Sequence, residues 1–263
     1  IDDSATGVDF IITELLVGSR KGETGRLKWG DMLSQQQRDN GEVSHLWLDE
    51  GDYGPYLFFC REDTKNRRAH RVPVGPFLAN LLRMRRNEAA DKTLNEGFGR
   101  RGREWVFPAR NKTAALAGGH YKDAGTLMDN IAIEIGLRLL NPHDLRRTFG
   151  AVMTALQVPG TVQSVLFNHT SSKPKTDEDI AAAVTARYNR PEWALLREWA
   201  EKIQEYIFLQ APNTYNSVRP SERPAIPAPP PHVPNPPKPR TGRPRKELLK
   251  ERLEQEAMDY LEG

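Results

Sequence analysis

Asn141-Pro-His-Asp-Leu-Arg-Arg-Thr-Phe-Gly150 is the stretch from which the rest of the chain is best read. Asparagine followed by proline suits a helix N-terminus: the first offers a side-chain acceptor to free amides, and the second loses nothing by lacking an N–H there. Leu145, Phe149, Val152, Met153 and Leu156 then form one apolar stripe at helical spacing. At about 100° per residue, His143 and Arg146 stand roughly 60° apart and largely off that stripe. Two donors beside the positive end of a helix dipole suit a phosphate, and an arginine can grip two of its oxygens in a fork. Taken alone, the stretch is also satisfied by a helix start with an incidental histidine and two surface arginines, Arg146 and Arg147.

The surrounding chain has 263 residues, room for one large domain or a domain with appendages. Hydrophobic residues make up 38%, enough for a core, and charged residues 28%, enough for a solvated surface. No apolar run approaches the ~18 residues of a membrane span, and the first residues do not form a signal peptide. Cys60 is the single cysteine, which excludes an internal disulfide framework and a cysteine-rich zinc module. An intracellular protein is expected. Ile1 is not an initiator methionine, so the chain is also expected to be part of a longer protein.

A net charge of +3 does not announce a nucleic-acid binder, but the average hides local structure. Residues 61–112 hold fourteen Lys or Arg against six Asp or Glu, and residues 232–246 hold five basic residues and no acidic one. Such clustering is the usual footprint of phosphate binding, although two solvated basic faces would give the same count. Twelve of the 20 prolines fall between Pro212 and Pro244, too many for helix or central strand. Three regions are therefore expected: a globular part at 1–210, a disordered, extended Pro-rich linker at 211–237, and a short basic piece at 238–263.

The fold class expected is α+β. Asp9–Val17 ends a buried helix, Val43–Leu48 and Tyr56–Cys60 are strands, and Arg71–Val74 is a third whose proline implies an edge. Gly75-Pro76 opens a helix to about Ala90, Trp105–Pro108 is a further candidate strand, and everything from Gly119 to Leu209 reads as helical. The expected architecture is a small antiparallel sheet near the N-terminus beside a helical majority.

Four further pieces carry chemistry-bearing residues. Gly18-Ser-Arg20-Lys-Gly-Glu23 is a glycine turn with a charged pair. Thr64-Lys65-Asn66, followed by Arg67 and Arg68, lies on a turn before Arg71–Val74, where an ammonium delivers a proton or touches a phosphate backbone. His169, in Phe167-Asn168-His169-Thr, ends a helix, where it donates to a phosphate oxygen or caps the C-terminus. Tyr188 follows a capping box at Thr176–Asp179 and is either a core-facing aromatic or a nucleophile, the latter requiring strong positive charge nearby. Each piece alone fits an ordinary structural role.

Together, and in this order, Arg20, Lys65, His143-x-x-Arg146, His169 and Tyr188 resemble the catalytic set of the tyrosine recombinases, most of all the integrases of phages, prophages and genomic islands. Gly18-x-Arg20-x-x-Glu23, the Leu27-Lys-Trp29-x-Asp31 after it, His143-Asp-Leu-Arg146-Arg-Thr and Ala186-Arg-Tyr188 carry the resemblance, over about residues 8–209. It implies a recombinase-like catalytic domain that cuts and rejoins DNA through a 3′-phosphotyrosyl link, with Tyr188 as nucleophile and no metal, ATP or other cofactor. It also implies Arg20, Arg146, His143 and His169 around the phosphate, Lys65 as general acid, and Glu23 and Asp144 in supporting roles. The implied partners are double-stranded DNA, further copies of the chain in a tetramer on DNA, and accessory DNA-bending proteins. The implied setting is the nucleoid of a bacterial cell or phage-infected host. Three departures are visible: Asn168 stands where a glycine is common, Ser172–Asp179 looks inserted and leaves cis or trans action by Tyr188 open, and the N-terminal DNA-binding domains of the family are not in this sequence.

The tail is separate. Pro239-Arg-Thr-Gly242-Arg243-Pro244-Arg245 resembles an AT-hook, which implies Arg243 and Arg245 in an A·T minor groove, with Thr241 in place of the usual arginine. The alternative is a basic spacer before a helix over 247–261, whose Leu249, Leu253, Ala257 and Leu261 share a face that docks on the catalytic domain or on a neighbouring copy. Two rival functions stand beside this one: a non-catalytic, recombinase-derived DNA-binding protein that keeps the fold and basic surface, and a type IB topoisomerase-like enzyme, which shares the chemistry but not these local motifs.

Overall fold

A computed structural model of the chain describes residues 3–90, 103–109, 119–122, 124–137, 140–168 and 191–210. The chain divides into two units, Ile1–Glu222 and Arg223–Gly263, and every described residue lies in the first. The Pro-rich linker, the AT-hook-like run and the C-terminal helix expected from the sequence lie outside the described residues, as do His169, Tyr188, Arg243 and Arg245.

Helix α1 (Asp3–Val17) is the axis of the fold. It is apolar nearly all round, with Phe10, Leu16 and Val17 buried and Ile11, Ile12 and Leu15 packed against the core. A helix with no polar face has to be enclosed. Here α2 (Lys21–Gly25), α4 (Pro76–Ala90), α6 (Pro142–Ala155) and α8 (Trp193–Gln210) enclose it. The remaining helices are α3 (Gln35–Asp39), α5 (Gly125–Glu134) and α7 (Gly160–Leu166). Phe10 meets the edges of Phe107 and Tyr121 at centroid distances of 5.3 and 4.9 Å, which seats the 103–109 and 119–122 segments on the same core.

The α+β class holds, but the sheet is mixed rather than antiparallel. Strands β2 (His45–Trp47), β3 (Tyr56–Phe59) and β4 (His70–Pro73) are antiparallel neighbours, while β1 (Lys28–Trp29) joins β2 in parallel. The reason is the β1–β2 connection, which passes through a 3₁₀ turn (Gly30–Met32) and α3 and so returns the chain in its original direction. Two residues are too few to show strand alternation in a sequence. Pro73 lies on the edge strand, where a missing N–H is tolerated. The reading of Gly119–Leu209 as wholly helical also fails at its start: Ala109 donates to Gly119 and Tyr121 to Phe107, so 119–122 runs extended against 106–109.

Leu46, Leu57, Phe59 and Val72 form the buried face of the sheet, as period-two alternation requires. Tyr206, on α8, packs against the core with Trp193 and Trp199, beside buried Leu196 and Ile203.

The basic segment is partly consumed by the fold. Arg85 is fully buried: Nε donates to the Val106 carbonyl, Nη1 to Asp9 and Nη2 to Thr6. Arg83 pairs with Glu50 and Arg86 with Asp31. The excess left on the surface of this segment includes Arg61, Lys65, Arg67 and Arg68, all exposed and all on the turn between β3 and β4.

Candidate active site

The start of α6 is built as its sequence suggests. The Asn141 side chain accepts from His143 N at 2.9 Å, and the Asp144 carboxylate accepts from Asn141 N at 3.0 Å. That bond, followed by the ion pair to Arg147 at 2.8 Å, holds the Asp144 carboxyl below its usual pKa. Asp144 thus closes a capping box, with Pro142 in the first helical turn. His143 and Arg147 are exposed.

Arg146 departs from the surface position that its place off the stripe suggested. It is buried, donating Nη1 to the Gly18 carbonyl at 2.5 Å and Nη2 to the Phe167 carbonyl at 2.8 Å, with its guanidinium 4.3 Å above the Phe167 ring. One side chain from α6 therefore joins the end of α1 to the end of α7. Burial, and then the charge of Arg20, push its pKa down to about 10, with Glu23 opposing. The two guanidinium charges repel each other, and Glu23 offsets less of this than Arg20 contributes.

Arg20 sits at the start of α2. Glu23 is buried and accepts from Arg20 Nη1 at 2.8 Å and from Arg20 N at 3.0 Å, which fixes both the side chain and the backbone of the turn. Arg20, Lys21, Gly22 and Glu23 line one side of an open pocket, and Glu62, Asp63, Thr64, Lys65 and Arg67 line the other. The structure thus brings Arg20, Glu23, Lys65 and Arg67 to one depression, with Arg146 coupled to it electrostatically and His143 one helical turn from Arg146. Arg68 is exposed on the same turn.

The β3–β4 turn is tied on both sides of Lys65. Asp63 accepts from Arg26 Nη1 at 3.1 Å and from the Ser44 hydroxyl at 2.6 Å. The Thr64 hydroxyl accepts from Arg68 N at 3.0 Å across the turn. Asn66 meets Asn168, the residue before His169, in a reciprocal amide pair. Asn168 has φ 48°, a left-handed conformation that glycine and asparagine adopt most readily, which accounts for asparagine where glycine is common.

One residue at the site was not singled out from the sequence. His70 lies on the core-facing side of β4, opposite Phe59, and stacks on that ring at 5.0 Å. Its Nδ1 is buried and has no hydrogen-bond partner among the described residues. Burial, then the charges of Arg146 and Arg20, push its pKa down to about 3, so the imidazole is neutral at physiological pH. The visible signal was strand alternation, which puts His70 and Val72 on one face.

Comparison with known proteins adds an independent line. The chain is 23% identical over 197 residues to the prophage integrase IntF of Escherichia coli (strain K12), an alignment covering 75% of this chain and 33% of that protein. The comparison supports assignment to the tyrosine recombinase/integrase family. The chain spans about a third of the length of this integrase relative. No family model matches the chain, and no solved structure matches it significantly. No helix among the described residues is long and apolar enough to cross a membrane.

Proposed function

We propose that residues 1–210 are the tyrosine-recombinase-like catalytic domain of a site-specific DNA recombinase, acting in the integration or excision of a mobile element. The observation that carries this reading is the buried Arg146 coupled to the pocket that Arg20 and Lys65 share, in a chain similar to a prophage integrase. A phosphodiester in that pocket places its non-bridging oxygens near two guanidiniums. These gain most where charge is greatest, in the phosphorane-like transition state. Arg146 is preorganised because its carbonyl partners hold it in place before DNA arrives.

In the reaction, the Tyr188 oxygen bonds to phosphorus as its phenolic proton passes to solvent. The bond from phosphorus to the 5′ oxygen breaks, and Lys65 supplies the proton that makes this oxygen a hydroxyl. The bond energy is retained in the phosphotyrosyl link, so rejoining is the reverse path. His143 and His169 serve as further donors to the phosphate. Arg67, Arg68 and Arg147 are exposed and suit the DNA backbone. The working unit is a tetramer on double-stranded DNA, assisted by DNA-bending proteins. The linker (211–237) and the basic tail (238–263) follow the domain in sequence, with Arg243 and Arg245 reading an A·T minor groove.

The test is incubation with a nicked duplex carrying attachment-site sequence, followed by a denaturing gel for a covalent adduct. The unaltered chain forms an adduct and Tyr188→Phe does not, while both bind the duplex. An adduct that persists in Tyr188→Phe removes Tyr188 as nucleophile. Binding without any adduct favours the non-catalytic reading, and relaxation of supercoiled DNA without recombination favours a type IB topoisomerase-like one.

A further inference from the structure

The Lys65 turn is exposed and carries four cations, features that ordinarily leave a hairpin tip loose. Here it is held at two points. On one side, Asp63 binds Arg26, which closes α2 on the Arg20 side of the pocket, and Ser44, which precedes β2. On the other, Asn66 Nδ2 donates to the Asn168 carbonyl at 2.6 Å, and Asn168 Nδ2 donates to Asn66 Oδ1 at 3.1 Å and to the Arg68 carbonyl at 3.0 Å. Lys65 lies between the two ties. The second joins segments about 100 residues apart in sequence, at the position directly before His169.

Glycine would satisfy the backbone at 168 equally well, since φ 48° costs it nothing. Asparagine accepts that backbone at small cost and adds an amide that donates two of the three bonds above, while the third runs from the Asn66 side chain to the backbone carbonyl of residue 168. We propose that Asn168, through Asn66, is a positioning residue that docks the lysine turn on the end of α7 before DNA binds, so that Lys65 is delivered to the leaving 5′ oxygen in register with the phosphate site. The proposal takes the role of Lys65 from the recombinase reading; the docking itself does not depend on that reading.

The experiment uses the full chain and the variants Asn168→Gly, which keeps the left-handed backbone, and Asn66→Ala. Hydrogen exchange without DNA reads the docking directly. Each variant loses at least one net hydrogen bond, so amides over 61–69 should exchange about tenfold faster, with α6 unchanged. Adduct formation is then compared on two nicked duplexes, one with the ordinary bridging 5′ oxygen and one with sulfur in its place. A thiolate leaves without a proton, so a defect confined to proton delivery disappears on the sulfur duplex. Asn168→Gly should lose about tenfold on oxygen, a part of the 10²–10⁴ that a general acid supplies, and recover on sulfur, as Lys65→Ala does from a larger loss. The double variant should be no slower than either single one. Unchanged exchange over 61–69, or equal losses on both duplexes, would overturn the proposal. An unaltered chain that forms no adduct on either duplex sinks the recombinase reading instead, and the exchange result then decides the docking alone.

Discussion

Arg146 Nη1 donates to the Gly18 carbonyl at 2.5 Å, joining residues 128 positions apart and placing α6 against the turn that leads to Arg20. The same guanidinium holds the Phe167 carbonyl. Arg146→Lys keeps a charge but cannot bridge both carbonyls in one plane. Adduct formation should fall about 10²–10³-fold, with a melting temperature lower by only a few degrees. A lowered melting temperature with an unchanged adduct rate would make Arg146 purely structural.

Gly18 has φ 66°, and a Cβ there would stand 2.4 Å from Phe149 Cδ1. Gly18→Ala therefore meets backbone strain and a core clash together, and should cost about 2–4 kcal/mol in urea unfolding. A loss below about 1 kcal/mol would mean that Phe149 yields freely.

Arg85→Met withdraws the donors that serve Val106, Asp9 and Thr6 in the interior. The loss should be about 3 kcal/mol, well above that of Arg61→Met on the exposed turn. Comparable unfolding midpoints for the two variants would contradict the structural role assigned to Arg85.

Glu14 in α1 is fully buried, with neither carboxylate oxygen hydrogen-bonded among the described residues. Burial, opposed by Lys21 and aided by Glu23, raises its pKa to about 9. The folded chain thus keeps a proton that the unfolded chain releases above the ordinary carboxylate value of 4.5. Its contribution to stability is complete below pH 4.5 and is lost as pH rises towards 9, by up to about 1.4 kcal/mol per unit. Glu14→Gln should flatten that decline, so its melting temperature gains on the unaltered chain between pH 5 and 8.5. Parallel curves would show that Glu14 ionises normally. His70 works in the opposite sense: its pKa near 3, against 6.5 unfolded, costs stability as pH falls below 6.5.

For the tail, full chain and residues 1–210 are compared on A·T-rich and G·C-rich duplexes. The full chain should prefer A·T and the truncated one should not. Equal preference in both would remove Arg243 and Arg245 from minor-groove readout.

How much was legible depended on whether the signal was local. The helix start at Asn141-Pro142, the apolar stripe from Leu145 to Met153 and the edge position of Pro73 rest on neighbours in sequence, and the structure has each of them. The parallel β1–β2 pair and the extended 119–122 segment were missed, because each is made by pairing with a distant strand and has too few residues to show a period.

The sequence by itself determined which residue types stand in which order, and hence the α+β class and the resemblance to integrases. It also placed the turns that carry Arg20 and Lys65. Only the tertiary structure decided that Arg146 is buried rather than solvated, that Arg85 belongs to the core rather than to a basic surface, and that Asn168 ties down the lysine turn. A side chain's partner across 100 or more residues is set by how the helices close around α1, and desolvation and charge proximity exist only after that closure. The same closure buries His70, and that burial, with the charges of Arg146 and Arg20, lowers its pKa.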